Sequence, residues 1–223
     1  MKKALCYWLL ATLIIGGWMV PRAQEVRAEV KPTLAIVPFI AEKGEDPSKA
    51  GTCPICKGVF RRGEVPAGSP MILTRLFYRK METLGTFKVI STERAEDALS
   101  RVDQGDFKER PVSASIQFGK ELNADFVFMG FVFRFEERKG SSLGVERPAS
   151  VGFELHLLRI KDGRIVWDGR FDETQRPLSD NLLQAGSFFR RGAHWLTAEE
   201  LAGDGMEVTL KKLPGVTDLV EGP

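Results

Sequence analysis

The order of apolar and polar residues predicts short strands and helices along most of the chain. Residues 34–40 are a continuous apolar run with β-branched side chains, which is typical of a buried strand. Pro38 lies in this run and has no N–H, so we expect the strand to lie at a sheet edge or its pairing to end there. Residues 71–84 carry apolar side chains at helical spacing and are followed by Gly85, which predicts a helix that faces the core.

The middle of the chain contains the strongest strand signal. Residues 87–90 predict a second short strand. Ser91 or Thr92 is expected to cap a helix that runs through Leu99, and another helix is expected at residues 112–122. Residues 125–135 are the most apolar strand segment and carry apolar side chains on both faces. This segment is therefore expected to form the central strand of the sheet.

A hairpin and a helical segment follow. Residues 151–160 and 164–171 predict two strands, and the Asp162-Gly163 pair between them is the strongest short-range signal for a hairpin. Thr197 and Glu200 have the spacing of a capping box at the start of a later helix. Residues 214–223 are expected to form a frayed tail.

Together these elements predict an α/β (α+β) fold. The fold has a mixed sheet of about five strands with helices packed on it, an antiparallel C-terminal hairpin and a helical C-terminal extension. We divide the chain into a signal at residues 1–28, a mixed α/β domain at residues 29–175 and the extension at residues 176–223. Residues 41–68 are rich in Gly, Pro, Lys and Glu and predict a long loop that contains two cysteines.

The N-terminus has the three parts of a secretory signal. Lys2 and Lys3 precede an apolar stretch that runs to Val20, and Ala28 ends a short pattern that suits cleavage. Cleavage would leave the mature protein in the periplasm, whereas a retained signal would tether it to the inner membrane. Cys6 follows no hydrophobic stretch, so lipidation there is not expected.

The charge of the predicted mature chain narrows the range of partners. Removal of residues 1–28 takes away four basic side chains and one acid, so the formal charge changes from +2 to −1. A dedicated binder of nucleic acid or anionic lipid needs clustered positive charge, and neither partner is expected. No small-molecule substrate is evident, and no cofactor is predicted.

The sharpest local motif is Cys53-Pro54-Ile55-Cys56, which lies in the predicted loop. The first interpretation is a structural disulfide between Cys53 and Cys56, because an exported chain meets an oxidising environment. The second is a thiol–disulfide oxidoreductase with Cys53 as its nucleophile. Such a site needs the first cysteine at a helix N-terminus, whereas this pair lies in a segment rich in Gly and Pro.

The third interpretation of the motif is a metal site. A Cys-Pro-x-Cys pair that is soon followed by Gly58 resembles the knuckle of a zinc ribbon or rubredoxin, which presents two thiolates to one ion. The chain has no second cysteine pair, so a dimer would share the site, or His156 or His194 would complete it. Taken alone, His156 alternates with leucines and is interpreted as an ordinary polar position on the opposite side of the sheet.

No catalytic constellation stands out elsewhere. The chain lacks a Gly-x-Ser-x-Gly nucleophile elbow and a Gly-rich phosphate loop, so it is not expected to be an enzyme. One segment combines residue types that are enriched at interface hot spots. Its members either cover the sheet or bind a partner, and the candidates are Phe188, Phe189, Arg190, Arg191 and Trp195.

Four stretches, residues 34–39, 84–90, 122–130 and 163–167, together resemble a group of envelope proteins. The group shares the fold of the curli secretion channel subunit, the lipoprotein activator of penicillin-binding proteins and the amino-terminal domain of the Tol translocation protein. The resemblance implies a non-catalytic protein that binds another envelope protein in assembly, secretion or cell-wall regulation. A homo-oligomer is left open. The chain departs from the lipoproteins because it lacks a lipidation cysteine.

Overall fold

Ten strands and six helices are present in the part of the chain that the computed structural model describes, residues 31–42, 44, 49–103, 105–176 and 194–222. The strands are β1 Thr33–Ile36, β2 Ile40–Ala41, β3 Ala50–Thr52, β4 Val59–Arg61, β5 Lys88–Val89, β6 Phe126–Glu136, β7 Lys139–Gly140, β8 Val145–Arg147, β9 Ser150–Arg159 and β10 Arg164–Thr174. The helices are α1 Ser69–Leu84, α2 Thr92–Leu99, α3 Asp106–Glu109, α4 Pro111–Glu121, α5 Ala198–Leu210 and α6 Val216–Glu221.

The predicted mixed α/β fold is confirmed. Six strands form one sheet in the order β10-β9-β6-β1-β5, with β2 paired to β6 off this path. The sequence predicts about five strands, and the additional one, β2, is only two residues long. None of the described helices combines the length and the apolar character that a bilayer-spanning segment needs.

The first strand shows how Pro38 shapes the sheet. β1 lies between β6 and β5, so the predicted edge position is wrong. The predicted end of pairing is confirmed: Val37 N–H donates to the Phe128 carbonyl at 2.9 Å, and Pro38 has no N–H with which to continue the ladder. Pairing with β6 resumes in β2, where Ile40 lies opposite Phe131.

The central strand is β6, as predicted. It pairs in parallel with β1 and β2 and antiparallel with β9. Its side chains alternate between two buried clusters, because Phe126 and Phe128 belong to the first and Val127 and Met129 to the second. Residues of α1 and α5 pack in the first cluster, and residues of α2 and α4 pack in the second.

Strand β9 is buried along its whole length. It pairs with β6 on one side and with β10 on the other, and the β9–β10 hairpin turns at Gly163 with a φ of 69°, as the sequence predicts. Leu155 and Leu157 of β9 join the first cluster. Because side chains alternate along a strand, Glu154 and His156 lie on the other face of the sheet, with the second cluster.

Residues 49–68, which belong to the predicted loop, are more ordered than the sequence predicts. β3 and β4 pair antiparallel, with Ala50 opposite Arg61 and Thr52 opposite Val59. We call residues 50–61 the cysteine hairpin, because its turn carries both cysteines. Each strand has only three residues and buries only the middle one, so no alternating pattern is long enough to be seen in the sequence.

The C-terminal end also differs from the prediction. The capping box of α5 is confirmed, since the Thr197 hydroxyl and the Glu200 carboxylate each accept a backbone N–H of the other residue. The frayed tail is wrong, because part of it forms α6 and buries Leu219 almost completely. Arg159 fixes this helix by donating through Nη1 to the carbonyls of Leu219, Val220 and Gly222.

Candidate metal centre

Four side chains of metal-ligating types lie together where the cysteine hairpin rests on β9. Cys53 and Cys56 come from the hairpin turn, and Glu154 and His156 come from the strand. One ligand atom from each of the four lies within 4.8 Å of the other three. Cys53 Sγ is 3.2 Å from His156 Nε2, and Cys56 Sγ is 3.2 Å from Glu154 Oε2. We call this group the Cys–Glu–His cluster.

Strand β9 sets the position of the two ligands that are not cysteines. Glu154 and His156 are two residues apart, so both point from the same face of the sheet. Each is almost completely buried, and the His156 ring lies edge to face with Phe131 at a centroid distance of 6.0 Å. As expected, His156 faces away from Leu155 and Leu157, and it is buried there with its Nε2 against a buried cysteine.

The hairpin turn directs backbone N–H groups at both sulfurs. Ile55 N–H donates to Cys53 Sγ at 3.4 Å, and Gly58 N–H donates to Cys56 Sγ at 3.3 Å. Lys57 adopts a positive φ of 63°, which closes the turn so that Cys53 N–H reaches the Gly58 carbonyl at 2.8 Å. Hydrogen bonds of this kind favour a deprotonated sulfur, the form that binds a metal.

Contacts other than those of the cluster hold the hairpin on the sheet. The Phe60 ring stacks on Phe133 at a centroid distance of 4.0 Å, and the Arg170 guanidinium lies 3.9 Å above its ring. Buried Arg134 donates through Nη1 to the Arg61 carbonyl at 2.7 Å. The cysteines are therefore placed over β9 by packing that does not depend on an ion.

Burial dominates the electrostatics of the metal-free cluster. It raises the pKa of the Cys53 thiol and, to a smaller extent, that of the Cys56 thiol. Burial also opposes ionisation of Glu154, but hydrogen bonds from His156, Cys53 and Cys56 outweigh it and lower the pKa of this carboxyl group. Burial therefore favours protonated thiols without an ion, and Cys56 donates to Glu154, so a metal would displace the thiol protons.

The distances and atom types suit zinc. A tetrahedral zinc ion with sulfur at ~2.3 Å and nitrogen or oxygen at ~2.0–2.1 Å places neighbouring donor atoms about 3.5 Å apart. The observed separations are 3.2 Å for each sulfur and its partner and 3.7 Å between His156 Nε2 and Glu154 Oε2. Thiolate and imidazole ligands favour zinc and other transition metals over magnesium or calcium.

Several features weigh against a reactive thiol. Cys53 is fully buried in the turn between β3 and β4, so it does not begin any of the described helices. Burial raises the pKa of its thiol, whereas a nucleophilic cysteine needs a lowered one. Both cysteines are free thiols in this structure. The disulfide therefore stays a prediction.

Of the partner-binding candidates from the sequence, only Trp195 lies in the described residues. Phe188, Phe189, Arg190 and Arg191 lie outside the described residues, as does the predicted signal at residues 1–28. Trp195 is half-buried. Its backbone N–H donates to the Ser142 carbonyl at 2.9 Å, and its backbone carbonyl accepts a hydrogen bond from the Arg138 guanidinium. This residue is held against the β7–β8 hairpin.

Sequence reasoning missed Glu154 and treated His156 only as one of two histidines that could complete a site. A carboxylate in a buried apolar strand is unusual without a partner, because an isolated buried charge is costly. The pattern Glu154-Leu155-His156, with both polar groups on one strand face, is the signal that could have found the pair.

No family model and no curated protein matches the chain. Among solved structures it is similar to a PelC dodecamer from Paraburkholderia phytofirmans, at 10% identity and a TM-score of 0.46, over 83% of this chain and 89% of that chain. It is similar to the LpoB C-terminal domain from Salmonella enterica, at 14% identity and a TM-score of 0.39, over 66% and 84%. Lipoprotein GNA1162 from Neisseria meningitidis gives 10% identity and a TM-score of 0.42 over 72% and 96%.

All three identities are low and all three TM-scores are below 0.5. The likeness therefore carries no argument about what this chain does. The functional case depends on its own residues.

Proposed function

We propose that this chain binds one zinc ion through Cys53, Cys56, Glu154 and His156. The observation that carries the proposal is the convergence of four suitable donor atoms within 4.8 Å, although the hairpin and strand residues are about 100 positions apart in sequence. One chain supplies all four ligands, so a dimer is not needed to complete the site. We therefore propose a site within one chain in preference to a site that two chains share.

The ligand set fits a structural site better than a catalytic one. Four protein ligands fill the tetrahedral shell of zinc, whereas catalytic zinc keeps a position for water or substrate. The ion would join the turn of the cysteine hairpin to β9, which is about 100 residues away in the sequence. Its free energy of binding then adds to the stability of the folded chain.

Metal analysis of the purified full chain tests the proposal. The chain is produced with zinc, kept reduced, and passed over a column to remove loosely bound ions before zinc is measured by mass spectrometry. We expect about one zinc per chain in the wild type, and a loss of bound zinc in Cys56→Ser and in His156→Ala. His194→Ala is the matched histidine control and should keep its zinc. A wild type that retains no zinc would overturn the proposal.

We propose further that the chain acts outside the cytoplasm by binding another envelope protein. Support comes from the signal pattern at residues 1–28 and from the near-neutral charge of the predicted mature chain. One described surface also suits a protein contact. Leu143, at the tip of the β7–β8 hairpin, is 90% exposed, and the neighbouring Ser142 carbonyl accepts a hydrogen bond from the Trp195 backbone N–H.

Two measurements test this second proposal. Fusion of residues 1–28 to alkaline phosphatase, which is active only after export, should give activity in the periplasm. Crosslinking at Leu143 in cells should give a defined protein adduct that Trp195→Ala together with Phe189→Ala removes while the fold is retained. An inactive fusion would contradict export. An adduct that survives the double variant would exclude this surface.

A further inference from the structure

We infer that Cys53 and Cys56 are also a modification site, at which a peroxide converts the zinc-binding pair into a disulfide and releases the ion. This inference rests on the proposed zinc site and adds its regulation. It starts from a difference between the two cysteines. Cys53 is 0% exposed, whereas Cys56 is exposed. A small oxidant from solvent therefore meets Cys56 Sγ first.

The first step oxidises Cys56. Its sulfur attacks one oxygen of hydrogen peroxide, the O–O bond breaks, and the leaving hydroxide takes a proton to become water. Cys56 is then a sulfenic acid. The oxidised sulfur is no longer a thiolate, so Cys56 would bind zinc only weakly. The ion would keep three ligands.

The second step uses Cys53 as the resolving residue. Its sulfur attacks the sulfur of oxidised Cys56, the S–O bond breaks, and the hydroxide leaves as a second water. In total, two thiolates, one peroxide and two protons give one disulfide and two waters. The two cysteines are oxidised, the peroxide is reduced, and zinc leaves without a change in its own oxidation state.

The geometry of the turn allows the disulfide to form locally. The two sulfurs lie within 4.8 Å of each other, and a disulfide needs them at about 2.05 Å. The adjustment falls on Cys56 and Lys57, which are both exposed. Once the sulfurs are joined, Glu154 and His156 are the remaining ligands, and two donors hold zinc far more weakly than four.

The rest of the hairpin should stay in place after oxidation. Phe60 remains packed between Phe133 and Arg170, and Arg134 remains bonded to the Arg61 carbonyl. Oxidation would therefore release the ion and loosen only the tip of the hairpin. A thiol reductant together with zinc should restore the original state, because no other part of the structure has been lost.

The experiment follows zinc and thiols together in the full chain. Zinc-loaded wild type is treated with increasing hydrogen peroxide, while a chromogenic chelator reports released zinc and intact mass reports the loss of two hydrogen atoms. We expect one zinc released per disulfide formed, and recovery of both after dithiothreitol and zinc are added. His194→Ala, the matched control, should behave as the wild type does.

Two cysteine variants separate the roles of the pair. Cys53→Ser should accumulate a Cys56 sulfenic acid that dimedone traps, whereas Cys56→Ser should show little dimedone labelling because Cys53 is buried. Equal labelling of both variants would overturn the assigned order of attack. Zinc that stays bound while the disulfide forms, or thiols that stay reduced in excess peroxide, would overturn the inference while leaving zinc binding intact. A wild type without zinc before treatment would remove both proposals.

Discussion

Cys53 and His156 lie 103 residues apart in the sequence, and Cys53 Sγ is 3.2 Å from His156 Nε2. The contact joins the turn of the cysteine hairpin to the fully buried strand β9. Both residues are 0% exposed, so water does not reach Cys53 Sγ or His156 Nε2 to replace the contact between them. Polar groups buried in this way need a strong mutual interaction, and a shared zinc ion would supply one.

Zinc should stabilise the fold through His156. Binding to the folded state alone adds about 2.7 kcal/mol when free zinc is a hundred times its dissociation constant. We expect the thermal midpoint of the wild type to rise when zinc is added and that of His156→Ala to change little. His194→Ala should respond as the wild type does. An equal rise in His156→Ala would show that this ring is not a ligand.

Phe60 should be the main apolar anchor of the cysteine hairpin. Its side chain is 1% exposed and packs between the Phe133 ring and the Arg170 guanidinium. We expect Phe60→Ala to lower the free energy of unfolding by about 3–5 kcal/mol, measured by urea denaturation. The neighbour Val59 is 59% exposed, and Val59→Ala should change the value by less than about 0.5 kcal/mol. Similar losses for both would contradict the packing described here.

Arg134 should be required for the junction of four strands. Its guanidinium is 1% exposed and donates to the Ser150 hydroxyl at 2.6 Å and to Asp172 at 2.6 Å, besides the Arg61 carbonyl. We expect Arg134→Met to destabilise the fold by about 3 kcal/mol, because buried acceptors lose their donor. The control Arg101→Met removes a 53% exposed arginine and should cost at most about 1 kcal/mol. A neutral Arg134→Met would show that the network is dispensable.

The capping box of α5 should make stability depend on pH. A hydrogen bond with the Thr197 backbone lowers the pKa of Glu200, so its carboxylate contributes stability above the unfolded pKa of about 4.3. This contribution is lost as pH falls through the lower, folded pKa. Glu200→Gln keeps the capping geometry and removes the charge. We expect the wild type to be more stable than Glu200→Gln at neutral pH and the difference to vanish in acid.

Urea unfolding between neutral pH and pH about 3 measures this difference. The control is Glu199→Gln, which removes the same charge from the same helical turn, where Glu199 makes only a 3.9 Å surface pair with Arg79. Glu199→Gln should lower the free energy of unfolding less than Glu200→Gln does at every pH at which the two differ. A wild-type advantage over Glu200→Gln that persists in acid would exclude the ionised capping box as its source.

Much of the fold could be predicted because its main elements are long and strongly patterned. β6 is apolar on both faces over most of its eleven residues, β9 and β10 have ten and eleven residues, and Asp162-Gly163 marks the turn between β9 and β10. The cysteine hairpin could not be found in this way, since only Gly51 and Phe60 of its strands are buried. α6 was missed because its docking depends on Arg159, which is distant in sequence.

The candidate site could be predicted only in part. The spacing of Cys53 and Cys56 is local, so a metal knuckle was among the three interpretations. The contribution of β9 is not local, because register and strand order decide which of its faces meets the hairpin. Glu154 and His156 could therefore be assigned only once the fold placed them opposite the cysteines.

X-ray absorption spectroscopy of the zinc-loaded chain at the zinc edge tests the central claim most directly. A site made by Cys53, Cys56, Glu154 and His156 predicts two sulfur neighbours at about 2.3 Å and two nitrogen or oxygen neighbours at about 2.0–2.1 Å. Four sulfur neighbours would instead mean that two chains share the ion through their cysteines. A shell without sulfur would contradict the account altogether.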